Sequence, residues 1–243
     1  MNATVPRDRR AEWFVPAFGP LWFRIAAGLL FLPYTGMVLS FTVIGGMLAP
    51  RILWARVVAI AVIYFFGLGI AAHALDAIGN GGHRPWGTYF SKRQLWTIAL
   101  VALAIAYTIG LYYILRFTPY LGIIALLEGF FVFAYNREWF GGRFHTHGWF
   151  AFSWGALPVL SGLIIQTNQL SISGAMMSLA MAGLSLVEIN ASRPYKALKR
   201  AALLNPQEQC YKTYLEIILK SISFGVICLS MAMVGFRLSL EME

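Results

Sequence analysis

His73, Asp76 and Asn80 stand three and four residues apart, a spacing that puts all three on one face of a helix end. A carboxylate there offers a hard oxygen ligand to Mg²⁺, and Arg84, four residues further on, offers a guanidinium fork to a phosphate oxygen. Two more polar clusters interrupt an otherwise apolar chain: Tyr135-Asn136-Arg137-Glu138, which runs on through Arg143 to His145-Thr146-His147, and Glu188-Ile189-Asn190-Ala191-Ser192-Arg193-Pro194-Tyr195-Lys196. Tyr135, Arg137, Glu188, Asn190 and Arg193 are the candidate ligand contacts in them, and Asp76 and Glu188 are the candidate metal ligands. Glu128 stands apart, between Leu127 and Gly129 in an apolar run, where an acidic group must face the bundle or a polar cavity. It could accept a ligand hydroxyl or a proton, or bond to a neighbouring helix. For the first cluster a simpler alternative is that Asp76 and Asn80 end the helix, Gly79, Gly81 and Gly82 make the turn, and Arg84 meets lipid headgroups.

The elements that must position these residues are membrane helices. Of 243 residues, 59% are apolar and 12% charged, with a mean hydropathy of +0.67, which excludes a water-soluble domain with a charged surface. Apolar runs predict about seven transmembrane helices, near 21–48, 52–75, 94–116, 118–135, 148–168, 169–188 and 213–236, and hence an all-α integral membrane bundle forming a single domain over 1–243. With the N-terminus in the cytoplasm, thirteen Lys and Arg fall in the N-terminal segment and the loops carrying the three clusters. Four (Arg51, Arg56, Arg116, Arg237) fall on the opposite side, and Arg24 and Lys220 lie within spans. That asymmetry supports both the count and the orientation, and it places every candidate cluster on the cytoplasmic side of the cell membrane, the inner membrane in a two-membrane cell. The segment 1–20 is expected to be a retained cytoplasmic extension and not a cleaved signal peptide. Residues 192–212 alternate basic and apolar side chains up to Asn205-Pro206, which reads as a short amphipathic helix at the interface.

The net charge of +9 is accounted for by a cytoplasmic collar facing anionic membrane lipids, and no nucleic-acid partner is expected. Cys210 and Cys228 cannot build a disulfide framework or a thiolate cluster. The four histidines, His73, His83, His145 and His147, all fall in the cytoplasmic clusters and could form a transition-metal site or ligate a tetrapyrrole. Tyr112, Tyr113, Phe130, Phe131, Phe133 and Tyr135 crowd two consecutive helices, as ordinary packing or as a groove for an apolar tail. Glu216 and Lys220, four apart, read as a local ion pair.

The polar residues at the end of the second helix, followed by Arg84-Pro85, together with the later cluster at Glu188, resemble the UbiA superfamily of membrane prenyltransferases. The first motif of that family, Asn-x-x-x-Asp-x-x-x-Asp, falls here on Ala72, Asp76 and Asn80, and the second, Asp-x-x-x-Asp, on Glu188 and Ser192. The resemblance implies a helical bundle with a cytoplasmic site for Mg²⁺ and a prenyl diphosphate, and an apolar chamber for the isoprenoid tail. Members usually carry nine spans, against seven here. Only Asp76, Glu138 and Glu188 supply carboxylates near the clusters, and Mg²⁺ on a diphosphate calls for several oxygen ligands. The expected function is therefore that of a UbiA-like protein with a degenerate diphosphate site. It binds an isoprenoid, quinone or pigment and serves as an accessory or scaffold subunit beside other membrane subunits. The alternatives are an active Mg²⁺-dependent prenyltransferase and a histidine-dependent membrane metalloenzyme.

Overall fold

The computed structural model describes residues 12–78, 89–201 and 203–242. Among them there is no strand, and eight helices follow one another: α1 (Leu21–Leu29), α2 (Leu32–Met47), α3 (Trp54–Ile78), α4 (Lys92–Arg116), α5 (Leu121–Asn136), α6 (His147–Thr167), α7 (Ile172–Arg200) and α8 (Pro206–Met242). Five of these are long and apolar enough to cross a membrane, and α1 with α2, meeting at 40°, makes a sixth if the pair is one broken span. By length and composition this is a multi-pass membrane protein. The count is lower than the sequence predicts because α5 has only 16 residues, about 24 Å of helix against a hydrocarbon core of about 30 Å.

The break between α1 and α2 has a local cause. Pro33 lies in the first turn of α2, and Phe31 before it takes φ 45°, a left-handed conformation that costs a bulky residue energy. The hydroxyl of Thr35 donates to the Leu30 carbonyl at 2.6 Å, satisfying one of the acceptors freed by the bend.

Helix α2 is the central post, with α6 and α8 packed along it. The approach to α6 is set by glycine: a Cβ at Gly45 would fall on the Val159 carbonyl, and one at Gly162 on the Thr42 carbonyl. Small residues are what allow such close crossings where burial from water supplies no drive between helices. At the end of the bundle away from the polar clusters, two of the minority-side arginines terminate helices. Arg56 donates to Ile165 O at 2.8 Å and Gln166 O at 3.2 Å, and Arg237 reaches Met47 O at 2.6 Å and Ala49 O at 2.8 Å. Cations at helix C-termini satisfy the last carbonyls and the axial dipole together.

Two expectations about the C-terminal third are corrected. Helix α7 does not stop at 188 but runs to Arg200 with Pro194 inside it. One lost backbone bond is outweighed there by the buried face of Ile189, Ala191, Ser192 and Tyr195, so Asn190 and Arg193 lie on a helix and not in a loop. The 192–212 segment is accordingly no separate helix. Asn205-Pro206, read as a stop, is a start: Asn205 Oδ1 accepts from the Glu208 amide at 2.8 Å, and Glu208 Oε2 accepts from the Asn205 amide at 2.9 Å. This is a reciprocal cap with proline in the first turn.

Candidate functional site

The polar clusters meet where α3, α5 and α7 end on the same side of the bundle as the α1–α2 break. Tyr135, in the last turn of α5 and 7% exposed, is the point of convergence. Its hydroxyl accepts a hydrogen bond from the Arg193 side chain and lies within electrostatic reach of Glu188 and Asp76. Its backbone carbonyl is 3.0 Å from His145 Nδ1, and the two rings stack at 4.5 Å. Arg193 also donates to the His145 carbonyl at 3.1 Å, so one guanidinium ties α7 to both the loop and α5.

Glu188 is buried one face round on α7, beside Lys196. Tyr34, on the first turn of α2, reaches Ser192 and lies close to Glu188. Lys196 stands 5.6 Å over the ring of Phe31, at cation–π distance. Two carboxylates, Asp76 and Glu188, and two cations, Arg193 and Lys196, thus lie near one another, with Glu188 buried and the other three half-buried. Buried charges require such pairing.

An aromatic chain floors this cluster. Phe14, Phe31, His73, Trp154, Phe150, Tyr135 and His145 follow in contact, with centroid separations from 4.5 to 5.6 Å. The strained Phe31 stacks on His73, while Thr35 Oγ1 is 3.4 Å from His73 Nε2. Two π-helical stretches, Phe65–Ala72 just before His73 and Phe152–Ala156 around Trp154, bring these rings together. Such wide turns redirect the side chains that follow them and are common at functional sites.

The predicted residues thus divide. Asp76, Tyr135, Glu188 and Arg193 come together, with His73 in the floor beneath them. Arg137 instead stands 6.0 Å over Trp96 of α4, and the exposed Asn190 bonds His147 Nδ1 at 2.7 Å. Asn80 and Arg84, with His83, lie outside the described residues. Glu128 is two turns before Tyr135, about 10 Å down the axis, and faces a different volume. His145 and His147 turn to separate partners, and among the described residues no three His, Cys, Asp or Glu side chains gather as a metal-binding group. With two carboxylates, the donor set fits one weakly held cation at most, not a two-ion diphosphate centre. Sequence reasoning missed Tyr34 and Lys196. Lys196 was legible as the residue two turns past Glu188 on one face, whereas nothing in the apolar 21–48 run marked Tyr34.

The aromatic residues of α4 and α5 do not form one groove. Tyr112 and Tyr113 pack with Phe117, while Phe130 and Phe131 pack with Phe144 and Trp149. Consecutive helices run in opposite directions, so the two groups fall at opposite ends. Glu216 and Lys220 do pair, at 2.7 Å. No family model, curated protein or solved structure matches this chain.

Proposed function

We propose that this chain is a UbiA-like membrane protein that holds an amphipathic isoprenoid, quinone or pigment by its polar head at the Tyr135–Arg193 end of the bundle and serves a larger membrane complex as an accessory subunit. The observation that carries this reading is the convergence of Arg193, Asp76 and Glu188 on one buried tyrosine hydroxyl, above a floor of stacked rings. A fixed guanidinium and a hydroxyl are suited to a carbonyl, hydroxyl or phosphate head, and stacked rings to an apolar or conjugated body. The positive charge bias supports a cytoplasmic position for this end. Exposed Phe224, Met231 and Phe236 along α8 give lipid or a neighbouring subunit an apolar face.

The test is a ligand-occupancy measurement on protein extracted in native lipid particles. Wild type is expected to carry a stoichiometric amphiphile, and Arg193→Ala and Tyr135→Phe to lose it. The same Asp76 and Glu188 that support a binding site would also support the second reading, an active prenyltransferase. Mg²⁺-dependent prenyl transfer that disappears in both Asp76→Ala and Glu188→Ala would establish that reading in place of the first.

A further inference from the structure

A second, separate site lies deeper in the bundle. Between α3, α4, α5 and α6 is a cavity of about 510 Å³, within the size range of small-molecule pockets. Its wall is apolar, formed by residues such as Ile63, Leu103, Ile114 and Val132, and its polar side chains are Tyr64, Tyr107, Glu128 and Ser161. Three of the four are already engaged. Tyr107 donates to the Ala125 carbonyl at 2.8 Å. Tyr64 donates to Glu128 Oε1 at 2.7 Å, and its oxygen is 2.6 Å from Ser161 Oγ, so Ser161 donates to Tyr64 in turn. The relay ends on Glu128, whose second oxygen, Oε2, is buried and has no hydrogen-bond partner among the described residues. A buried polar atom left so is costly unless something completes it. The wall includes Leu111, Ile123 and Leu126, which are also exposed on the outer surface of α4 and α5, so the cavity opens sideways toward the lipid.

We propose that this cavity binds a lipid alcohol, an apolar body entering between α4 and α5 and ending in a single hydroxyl that completes Glu128 Oε2. A hydroxyl both donates and accepts, so it satisfies the carboxyl whether or not that carboxyl carries a proton. A quinone carbonyl only accepts and an ammonium only donates. The site does not depend on the Tyr135–Arg193 reading.

The experiment is photolabelling of the full chain in phosphatidylcholine nanodiscs with a diazirine-bearing long-chain isoprenoid alcohol. Three competitors are used: the parent hydrocarbon, a matching amine and a matching quinone. The expected result is labelling within Trp54–Ile78 or Leu121–Asn136 that the unlabelled alcohol displaces and the competitors displace about tenfold less well, a single hydrogen bond's difference. Glu128→Met is expected to weaken the alcohol by the same factor. Gly67→Leu, whose Cβ meets nothing within 4 Å, is expected to fill the cavity and abolish labelling without touching Glu128. Arg193→Ala is expected to leave labelling unchanged. Equal competition by the hydrocarbon would reduce the cavity to a slot for acyl chains. Better competition by the amine or quinone, or labelling indifferent to Glu128→Met, would overturn the proposal.

Discussion

At the scale of single residues, the end cluster is organised by what each polar group must find away from water. Tyr135 makes its case by two separate bonds, the hydroxyl with Arg193 and the carbonyl with His145. Tyr135→Phe keeps the ring in the aromatic chain and removes only the hydroxyl, so it is expected to cost about 1 kcal/mol. Thermal inactivation in nanodiscs measures this. Arg193→Ala is expected to do more, because it leaves a buried hydroxyl and the His145 carbonyl short of a donor: about 2 to 3 kcal/mol in the same assay. Much of the cluster was legible. The spacing of His73 and Asp76 and the types at Tyr135, Glu188 and Arg193 sufficed to place them on one side. What could not be read was which residues converge, since Asn190 and Arg193, three apart on α7, face different partners. The rotation of α7 that decides this comes from packing, not from local sequence.

At the scale of elements, helix existence followed from apolar run length, whereas helix ends did not. The end of α7 depended on whether burial of Ile189, Ala191 and Tyr195 outweighs a proline, and the start of α8 on a cap in which Asn205 and Glu208 answer each other. Gly45 and Gly162 let α2 and α6 approach closely, and the energetics of that contact give a sharp prediction. Gly45→Ala and Gly162→Ala put a Cβ onto backbone of the facing helix, which cannot yield as a side-chain tip can. Each is expected to destabilise by roughly 2 kcal/mol or more. Gly225→Ala, where a Cβ meets nothing within 4 Å, is expected to be neutral or stabilising by up to about 1 kcal/mol. Comparable losses at all three positions would contradict the α2–α6 crossing. Likewise Arg237→Ala is expected to loosen the end of α2 and cost about 1 to 2 kcal/mol.

At the scale of the whole molecule, the charge asymmetry gains a physical basis on its minority side, where Arg56 and Arg237 cap helix ends and so are placed by structure. That strengthens the inference that the richer side is cytoplasmic. Single cysteines introduced at Gly141 and Gln169 in a Cys210→Ser, Cys228→Ser background report it directly. An impermeant maleimide added to intact cells is expected to label Gln169→Cys and not Gly141→Cys, and the reverse pattern would invert the topology. The bundle then presents a polar cluster over stacked rings at Tyr135 and, at a different depth, an apolar lateral cavity at Glu128. The central claim, that the end cluster holds an amphiphile, is tested most directly by native mass spectrometry of the protein released from its own membrane, comparing wild type with Arg193→Ala and Glu128→Met. The account predicts a bound isoprenoid, quinone or pigment, with partner chains attached, that disappears in Arg193→Ala and survives in Glu128→Met. Arg193→Ala protein that keeps its full ligand occupancy, or wild type released with no small molecule at all, would contradict it.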